Sequence, residues 1–331
     1  MKKLLTLTLV AIIFLFSLTG CGTTSLGAKA QYWYEDEAVT GYKAINETIE
    51  YEVSVVKTTP SNSQEVKNEY VSMKIDKGTY VINLQTSVDD NGNDCYLYTT
   101  TLEIKGKYLS KDQEYEFLDN VTTSTKFYNI VKDFKPISSQ KTSTCSTVII
   151  PDENGYSLTQ FAYEYNIKYD ENTASTNYKL DVIGKDGTEN LETRQVNYKD
   201  YLKTAFVDNE LLTLIPRAYS YETGFTTYFS TLDVVSQKIQ KMTYFGTSQN
   251  SQSDIKNFNL FYDLGEEKIG AENLQVAKVK IVIDDTFAGY PIEAYYITDH
   301  KTHRHRMAEA YTALNNNIGY LKYKIKKVTL K

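Results

Sequence analysis

Few residues in this chain are suited to catalysis or to tight metal binding. The 331 residues include 3 histidines, at His300, His303 and His305, and 3 cysteines. The chain contains no G-x-S-x-G nucleophile turn, no H-E-x-x-H zinc motif, no P-loop lysine and no C-x-x-C spacing. Histidine-dependent catalysis would therefore have to use one short patch. A catalytic pair of carboxylates is brought together by the fold and has no fixed spacing in the sequence, so catalysis by paired carboxylates is not excluded.

Long apolar runs are also scarce, and the one that stands out extends from Leu4 to Leu18, directly after Met1-Lys2-Lys3. It has the form of a secretory signal and is too short for a comfortable membrane span. It ends in Leu18-Thr19-Gly20-Cys21, which resembles the lipobox of bacterial lipoproteins. That resemblance implies that Cys21 is acylated with a diacylglycerol and becomes the first mature residue. An ordinary signal that happens to end in cysteine is the alternative.

The predicted signal determines the expected location and organisation of the chain. We expect a signal peptide over residues 1–20, a lipidated Cys21 with a flexible tether over residues 21–44, and a single β-rich domain over residues 45–331. The diacyl chain would hold the protein at the extracytoplasmic face of the cell membrane. Loss of Lys2 and Lys3 would change the formal net charge from −6 to −8. This charge argues against nucleic acid or anionic lipid as the main partner.

Cys95 and Cys145 form the one pair available for an intramolecular disulfide once Cys21 is lipidated. Disulfides persist in exported proteins, and a loop of about 50 residues would contribute about 4 kcal/mol on the chain-entropy model. Two free thiols are the alternative, and an anaerobic or Gram-positive source would favour them.

The composition is typical of a β protein. Tyrosine is abundant at 29 residues, proline falls to 5, and many apolar positions alternate with polar ones. Such alternation at Ile49, Tyr51, Val53 and Val55 predicts a half-buried strand. Asp76-Lys77-Gly78 and Asn91-Gly92 are predicted hairpin turns. The acidic stretch around Asn91-Gly92 does not have the ligand positions of an EF-hand loop, so a solvated hairpin tip is preferred to a calcium site.

One helix and several further strands are expected towards the C-terminus. Asp208-Asn209-Glu210 suits a helix start, apolar residues follow to Ile215, and Pro216 limits the length, so we expect a short helix buried against the sheet. Residues 303–311 fit either a strand or a helix, with the strand favoured. In the last strand lysines alternate with Leu321, Tyr323 and Ile325, which suits a solvent-facing or edge strand.

The order of these segments resembles an uncharacterised family of exported bacterial proteins, whose fold is thought to be similar to that of the periplasmic lipoprotein carriers. The resemblance rests on loose motifs at residues 47–53, 208–212, 216–218, 294–299 and 319–323. It implies a curved antiparallel sheet, or half-barrel, packed around one short buried helix, with a concave side able to hold an acyl chain. It carries no catalytic signature. A membrane anchor would distinguish this chain from freely diffusing carriers.

We therefore expect a lipoprotein without enzymatic activity or cofactor that binds a hydrophobic or cell-envelope ligand. The candidate ligand-binding residues are apolar residues of the expected helix and two tyrosines: Leu211, Leu212, Leu214, Ile215, Tyr295 and Tyr311. One alternative is a carboxylate-dependent hydrolase of cell-wall material. The other is a metal-binding surface lipoprotein that uses His300, His303 and His305, although histidines on a polar rim explain the same pattern.

Overall fold

The structure is a computed structural model that describes fifteen stretches of the chain. These are residues 46–110, 113–130, 133–152, 155–170, 173–199, 212–218, 226–234, 238–246, 251–252, 258–262, 265–269, 275–283, 292–298, 305–314 and 317–331. Their strands are β1 (Asn46–Val56), β2 (Val71–Val88), β3 (Asp94–Ser110), β4 (Gln113–Ile130), β5 (Asp133–Asp152), β6 (Gly155–Tyr169), β7 (Thr173–Gly184), β8 (Gly187–Lys199), β9 (Thr226–Asp233), β10 (Lys238–Gly246), β11 (Ser251–Gln252), β12 (Phe258–Tyr262), β13 (Gly265–Ile269), β14 (Gln275–Ile283), β15 (Ile292–Ile297), β16 (Met307–Ala313) and β17 (Tyr320–Leu330).

These strands form one large, mainly antiparallel sheet. Strands β1 to β8 pair in chain order, and β1 also pairs with β17. From β17 the sheet continues through β16, β15, β14 and β10 to β9. Within the described stretches no ladder joins β8 to β9, so the sheet is not closed. Arg194 of β8 nevertheless donates from Nη2 to the Val234 carbonyl at 2.8 Å, which brings the two outermost strands close together.

The alternation predicted for the first strand is confirmed on β1. Its buried apolar residues are Ile49, Tyr51 and Val53, and Ile82 and Leu84 extend the same face onto β2. Each such side chain contributes about 1.5–3 kcal/mol relative to an exposed position. The buried side chains of successive strands form the main core.

The predicted hairpin at Asp76-Lys77-Gly78 is wrong, because β2 runs through these residues without turning back. A bulge between Ile75 and Lys77 interrupts its register with β3 at this point. An added Cβ on Gly78 would lie 2.3 Å from the Val53 carbonyl oxygen. A glycine thus marks close backbone approach at a bent strand here, where the sequence pattern indicated a turn.

The predicted hairpin at Asn91-Gly92 is confirmed as the connection between β2 and β3. Gly92 has a φ of 80°, which favours glycine. The Asp89 carboxylate accepts hydrogen bonds from the backbone N–H groups of Asn91 at 2.9 Å and Asn93 at 2.7 Å. The Tyr128 hydroxyl donates to the same carboxylate, and these bonds hold the pKa of Asp89 well below its usual range. The acidic tip is therefore a hydrogen-bonded turn.

The structure does not support the helix predicted over residues 208–215. Residues 208–211, including Leu211, lie outside the described stretches, Leu212 and Thr213 are helical, and a 3-10 turn follows over Ile215–Ala218. Pro216 lies inside this turn and not after it. Leu214 and Ile215 are nevertheless fully buried in the main core, so the expected burial of this segment is observed.

Near the C-terminus the strand preference is confirmed for β16, which pairs with β17. The edge-strand interpretation of β17 is wrong, because β17 also pairs with β1 on its other side. Its lysines meet acids on the neighbouring strands: Lys322 contacts Glu309 at 2.8 Å and Lys326 contacts Glu52 at 2.6 Å. A lysine row next to acid-bearing strands is thus compatible with an interior strand.

Candidate functional site

The 3-10 turn and the residues before it pack in the main core of the sheet. Thr213 and the Tyr98 hydroxyl of β3 are hydrogen-bonded to each other. The Tyr296 hydroxyl of β15 donates to the Leu212 carbonyl. This short segment therefore contacts strands that are far apart in the sheet. It lies where the sequence predicted a central helix.

A buried ion cluster fixes the end of this segment. Glu47 of β1 accepts from Arg217 Nη1 at 2.7 Å through Oε1, and from Arg306 Nε at 2.8 Å through Oε2. All three side chains are at most 1% exposed. Beside them, burial raises the pKa of Tyr51 above its usual range, and the Tyr51 hydroxyl donates to the Met307 carbonyl at 3.0 Å. The cluster connects β1, the 3-10 turn and the chain entering β16.

The candidate ligand-binding residues do not form one site. Leu214 and Ile215 have no exposed surface, and Leu212 is partly buried against the same core. Tyr296 faces this segment, so its neighbour Tyr295 points to the opposite side of β15. Tyr311 lies opposite Glu293 on that same far side, and the Tyr295 and Tyr311 ring centroids are 6.4 Å apart.

The two tyrosines belong to a hydrogen-bonded network with acids and lysines. The Tyr311 hydroxyl donates to Glu309 at 3.0 Å, and the Tyr295 hydroxyl donates to Glu293. Lys322 contacts Glu309 at 2.8 Å, and Lys278 contacts Glu293 at 3.4 Å. Burial, followed by the nearby Glu293, raises the pKa of Tyr295 above its usual range. Each carboxylate thus has a hydroxyl donor and a cation, which favours a structural role.

An apolar groove opens at one end of strands β2 to β6. It encloses about 200 Å³, part of which is open solvent. Its lining consists mainly of aromatic and aliphatic side chains: Val71, Tyr108, Ser110, Tyr115, Ile149, Tyr156, Ser157 and Leu158. The rings of Tyr156 and the half-exposed Tyr70 are 6.1 Å apart at its rim. We refer to this feature as the groove.

Asp119 lies deeper than the groove on the same face of β4. The Thr147 hydroxyl donates to Asp119 Oδ1 at 2.7 Å, and Gln160 Nε2 donates to Thr147 Oγ1 at 3.4 Å. Burial raises the pKa of Asp119 to about 6, against the lowering effect of the Thr147 hydrogen bonds. Tyr108, whose pKa is raised by burial and by the Asp119 charge, connects this carboxyl with the groove.

Beyond Asp119 this face of β4 and its neighbouring strands becomes rich in hydroxyl groups. Thr100 and Thr123 are hydrogen-bonded at 2.7 Å, and Thr125 donates to Ser139 at 3.1 Å. These four side chains are buried, and Ser143 beside them is 2% exposed. Buried hydroxyls require such partners, because an unsatisfied hydroxyl in an apolar environment costs about 1–3 kcal/mol. The face thus changes from apolar at the groove to polar in the middle of the sheet.

Sequence reasoning missed the groove, Asp119 and these hydroxyls. The stretches 121–125 and 138–147 are polar on both faces, so alternation does not indicate which side is buried. Tyr108, Tyr115 and Tyr156 come from three different strands, and their proximity depends on strand order and register. No local motif could have identified them.

The histidine patch is mostly beyond the described stretches. His300 and His303 lie outside them, while His305 is buried and has a φ of 48°. Across the part of the chain that the structure describes, no three His, Cys, Asp or Glu side chains form a group that could hold a metal ion. The metal-binding alternative stays a prediction for His300 and His303, which lie outside the described stretches.

The possible disulfide is not formed. Cys95 and Cys145 are both free thiols, the first buried and the second partly exposed. On β4, Asn120 lies opposite Cys145, whereas Phe127 lies opposite Tyr96, the neighbour of Cys95. Seven residues of strand span about 23 Å, far beyond the distance of about 7 Å that two bridged Cα atoms allow.

The predicted signal, Cys21 and the tether lie outside the described stretches. None of the helical segments in the described residues has the length and apolar character needed to cross a membrane.

Comparisons with known proteins give weak structural similarity and no family. No family model and no curated protein matches the chain. A crystal structure titled as a β-barrel-like protein of a domain of unknown function, DUF1849, from Brucella abortus matches with a TM-score of 0.44 and 13% identity. The match covers 89% of this chain and 100% of the other. The mainly β fold described here rests on the strand registers themselves.

Proposed function

We propose that this protein is a lipid-anchored extracytoplasmic protein that binds a hydrophobic ligand without transforming it. The observation that carries the proposal is the apolar groove, which opens to solvent. The space in it that a water-sized sphere can occupy is about 10 Å³, about enough for one water molecule, so a ligand enters only if the lining side chains move. The aromatic and aliphatic lining would then receive a single narrow alkyl chain, and each methylene removed from water contributes about 0.8 kcal/mol.

Binding is tested with a chain from Gly22 to Lys331, which retains all described contacts, since these lie between residues 46 and 331. A fluorescent fatty acid is expected to bind it saturably. Ser157→Trp fills the groove and should weaken binding at least about tenfold, a change of about 1.4 kcal/mol. Asn166→Trp places the same ring on an exposed position of β6 and should leave binding unchanged. Absence of saturable binding across several lipid classes would reject the proposal.

The anchor is tested separately with the full chain. Cys21→Ser removes the thiol that the lipobox-like segment would acylate, so the variant should leave the detergent phase in a phase-partition assay. The wild-type chain should remain in that phase because of its diacyl group. Equal partitioning of the two chains would show that Cys21 carries no lipid anchor.

A carboxylate-dependent hydrolase remains the second candidate, and Asp119 is the observation that favours it. A carboxyl group with a pKa of about 6 is suited to general acid catalysis near neutral pH. Under this alternative, cell-wall fragments should be cleaved by the wild-type chain and not by Asp119→Asn. Cleavage that persists in the variant would remove Asp119 from that role.

A further inference from the structure

The groove is closed in the arrangement that the structure shows. Its free space is about that of one water molecule, so an alkyl chain enters only when a lining side chain moves. Val71, Tyr108 and Ile149 are at most 8% exposed and belong to the main core. Moving them would break the packing of β2, β3 and β5. The side chains that can give way therefore lie at the rim of the groove.

Tyr156 of β6 and Tyr70 form this rim. Tyr156 is partly buried, Tyr70 is 50% exposed, and their ring centroids are 6.1 Å apart. Tyr70 is the last residue of the connection between β1 and β2, residues 57–70, and most side chains of this connection are exposed. Segments with few buried apolar contacts open at a low free-energy cost. Tyr70 can therefore turn into solvent without disturbing the main core.

Asn68 fastens this connection to Tyr156. Its Oδ1 accepts hydrogen bonds from the backbone N–H groups of Tyr70 at 2.8 Å and Val71 at 2.9 Å. Because backbone N–H groups only donate, the amide oxygen faces them, and the amide nitrogen is left to face β6. Nδ2 donates to the Tyr156 hydroxyl at 3.3 Å. One side chain thus caps the start of β2 and holds Tyr156 at the rim.

We infer that Asn68, Tyr70 and Tyr156 form a gate that is closed in this structure and opens when a ligand enters the groove. The inference rests on the proposed function and adds the route by which the ligand enters. Breaking the Asn68–Tyr156 hydrogen bond lets Tyr156 turn outwards with Tyr70, and water replaces the lost partner at this partly exposed rim. The bound state is then the open state, because the closed groove has no room for a ligand.

The energetics distinguish a gate from side chains that only line the groove. A ligand that binds the open state alone has an apparent affinity reduced by the fraction of molecules that are open. Weakening the closed state raises this fraction, so it should speed association and tighten binding. The loss of a contact that supports the groove would have the opposite effect.

Stopped-flow mixing of the Gly22–Lys331 chain with parinaric acid, a fatty acid that is itself fluorescent, tests the gate. Asn68→Ala removes the amide, so the association rate constant and the affinity should both rise about 2- to 10-fold, the factor that a hydrogen bond between neutral side chains contributes. The dissociation rate constant should change little, because this hydrogen bond is already broken in the bound state.

Tyr156→Phe removes the same hydrogen bond from its other side and keeps both the ring and the capping bonds of Asn68. It should speed association to a similar extent, and the double variant should be no faster than either single variant, because all three lack the same bond. Asn62→Ala is the matched control. Asn62 is exposed in the same connection, and its Oδ1 accepts from the Gln64 N–H at 3.1 Å. Its loss should leave both rate constants unchanged.

The outcomes separate the gate from the proposed function. If the wild-type chain binds the fatty acid and either Asn68→Ala or Tyr156→Phe fails to speed association, the gate is wrong while the groove stands. Weaker binding in both variants would mean that these residues support the groove, and faster association in Asn62→Ala would mean that the whole connection acts. Each of these results overturns the inference. If the wild-type chain binds no fatty acid, the proposed function fails together with the gate.

Discussion

Burial of the Asp119 carboxyl couples folding to pH. Because the pKa in the folded chain is about 6 against a usual 3.8, the folded state binds the proton more tightly, and the free energy of unfolding falls as pH rises through this window. Asp119→Asn cannot ionise, so it should be more stable than wild type by about 1–2 kcal/mol at pH 7.5, allowing for partial exposure, and similar at pH 3.5. Urea unfolding at both pH values measures the difference.

A matched control for this measurement is Asp186→Asn. Asp186 is an exposed acid in the turn between β7 and β8, so its amide variant should follow the wild-type pH dependence. A stability difference between Asp119→Asn and wild type that is the same at both pH values would contradict the assigned cause. It would show that the substitution acts through packing or the Thr147 hydrogen bond.

Glu47 illustrates how strongly burial changes the contribution of an ion pair to the free energy of unfolding. Its carboxylate is the shared acceptor for Arg217 and Arg306 in the core, so Glu47→Gln leaves two buried guanidinium groups facing a neutral amide. Loss of one partner from a buried cluster costs about 3–5 kcal/mol. Chemical denaturation should show a loss of that size.

The control is Glu52, which lies on the same strand and forms its ion pair at the surface. Glu52 pairs with Lys326 at 2.6 Å, and both side chains are about half exposed. Glu52→Gln should therefore cost less than about 1 kcal/mol. Equal losses in the Glu47 and Glu52 variants would mean that the core cluster contributes no more than a surface pair.

The long strands of this sheet depend on glycine where they bend. Gly78→Ala would place its Cβ against the Val53 carbonyl of β1, so the backbone must shift. Such overpacking costs about 1–3 kcal/mol. At Gly184 the nearest atom to an added Cβ is 3.5 Å away, so Gly184→Ala should change the thermal midpoint little. A neutral Gly78→Ala would show that the bend does not require glycine.

The local sequence pattern predicted the presence of strands well and their lengths less well. Alternation identified β1 and β17, because one face of each is apolar. It divided β2 at Asp76-Lys77-Gly78, since a bulge and a turn use the same small and polar residues. It also assigned a helix that ends before Pro216, whereas Pro216 lies inside a 3-10 turn, and the segment before this turn is held by Tyr98 and Tyr296. The sequence cannot show such contacts between distant strands.

The candidate site was even less accessible to sequence reasoning. Its residues belong to β2, β3, β4, β5 and β6, and the order of these strands brings them together. The tyrosines chosen from the sequence, Tyr295 and Tyr311, are locally similar to Tyr108 and Tyr115 but hydrogen-bond to buried acids. Whether a tyrosine joins a buried hydrogen-bond network or lines the groove depends on its neighbours on the adjacent strands and not on the residue type.

The dimensions of the whole sheet determine the state of the cysteines. Cys95 and Cys145 are held about 23 Å apart by β4, so a bridge would require the sheet to come apart. Denaturation of the Gly22–Lys331 chain without reductant should therefore expose two alkylatable thiols by intact mass, the same number as after reduction. In the native chain burial raises the pKa of both thiols, and the more exposed Cys145 should be labelled first. Thiols that react only after reduction would contradict the strand order from β3 to β5.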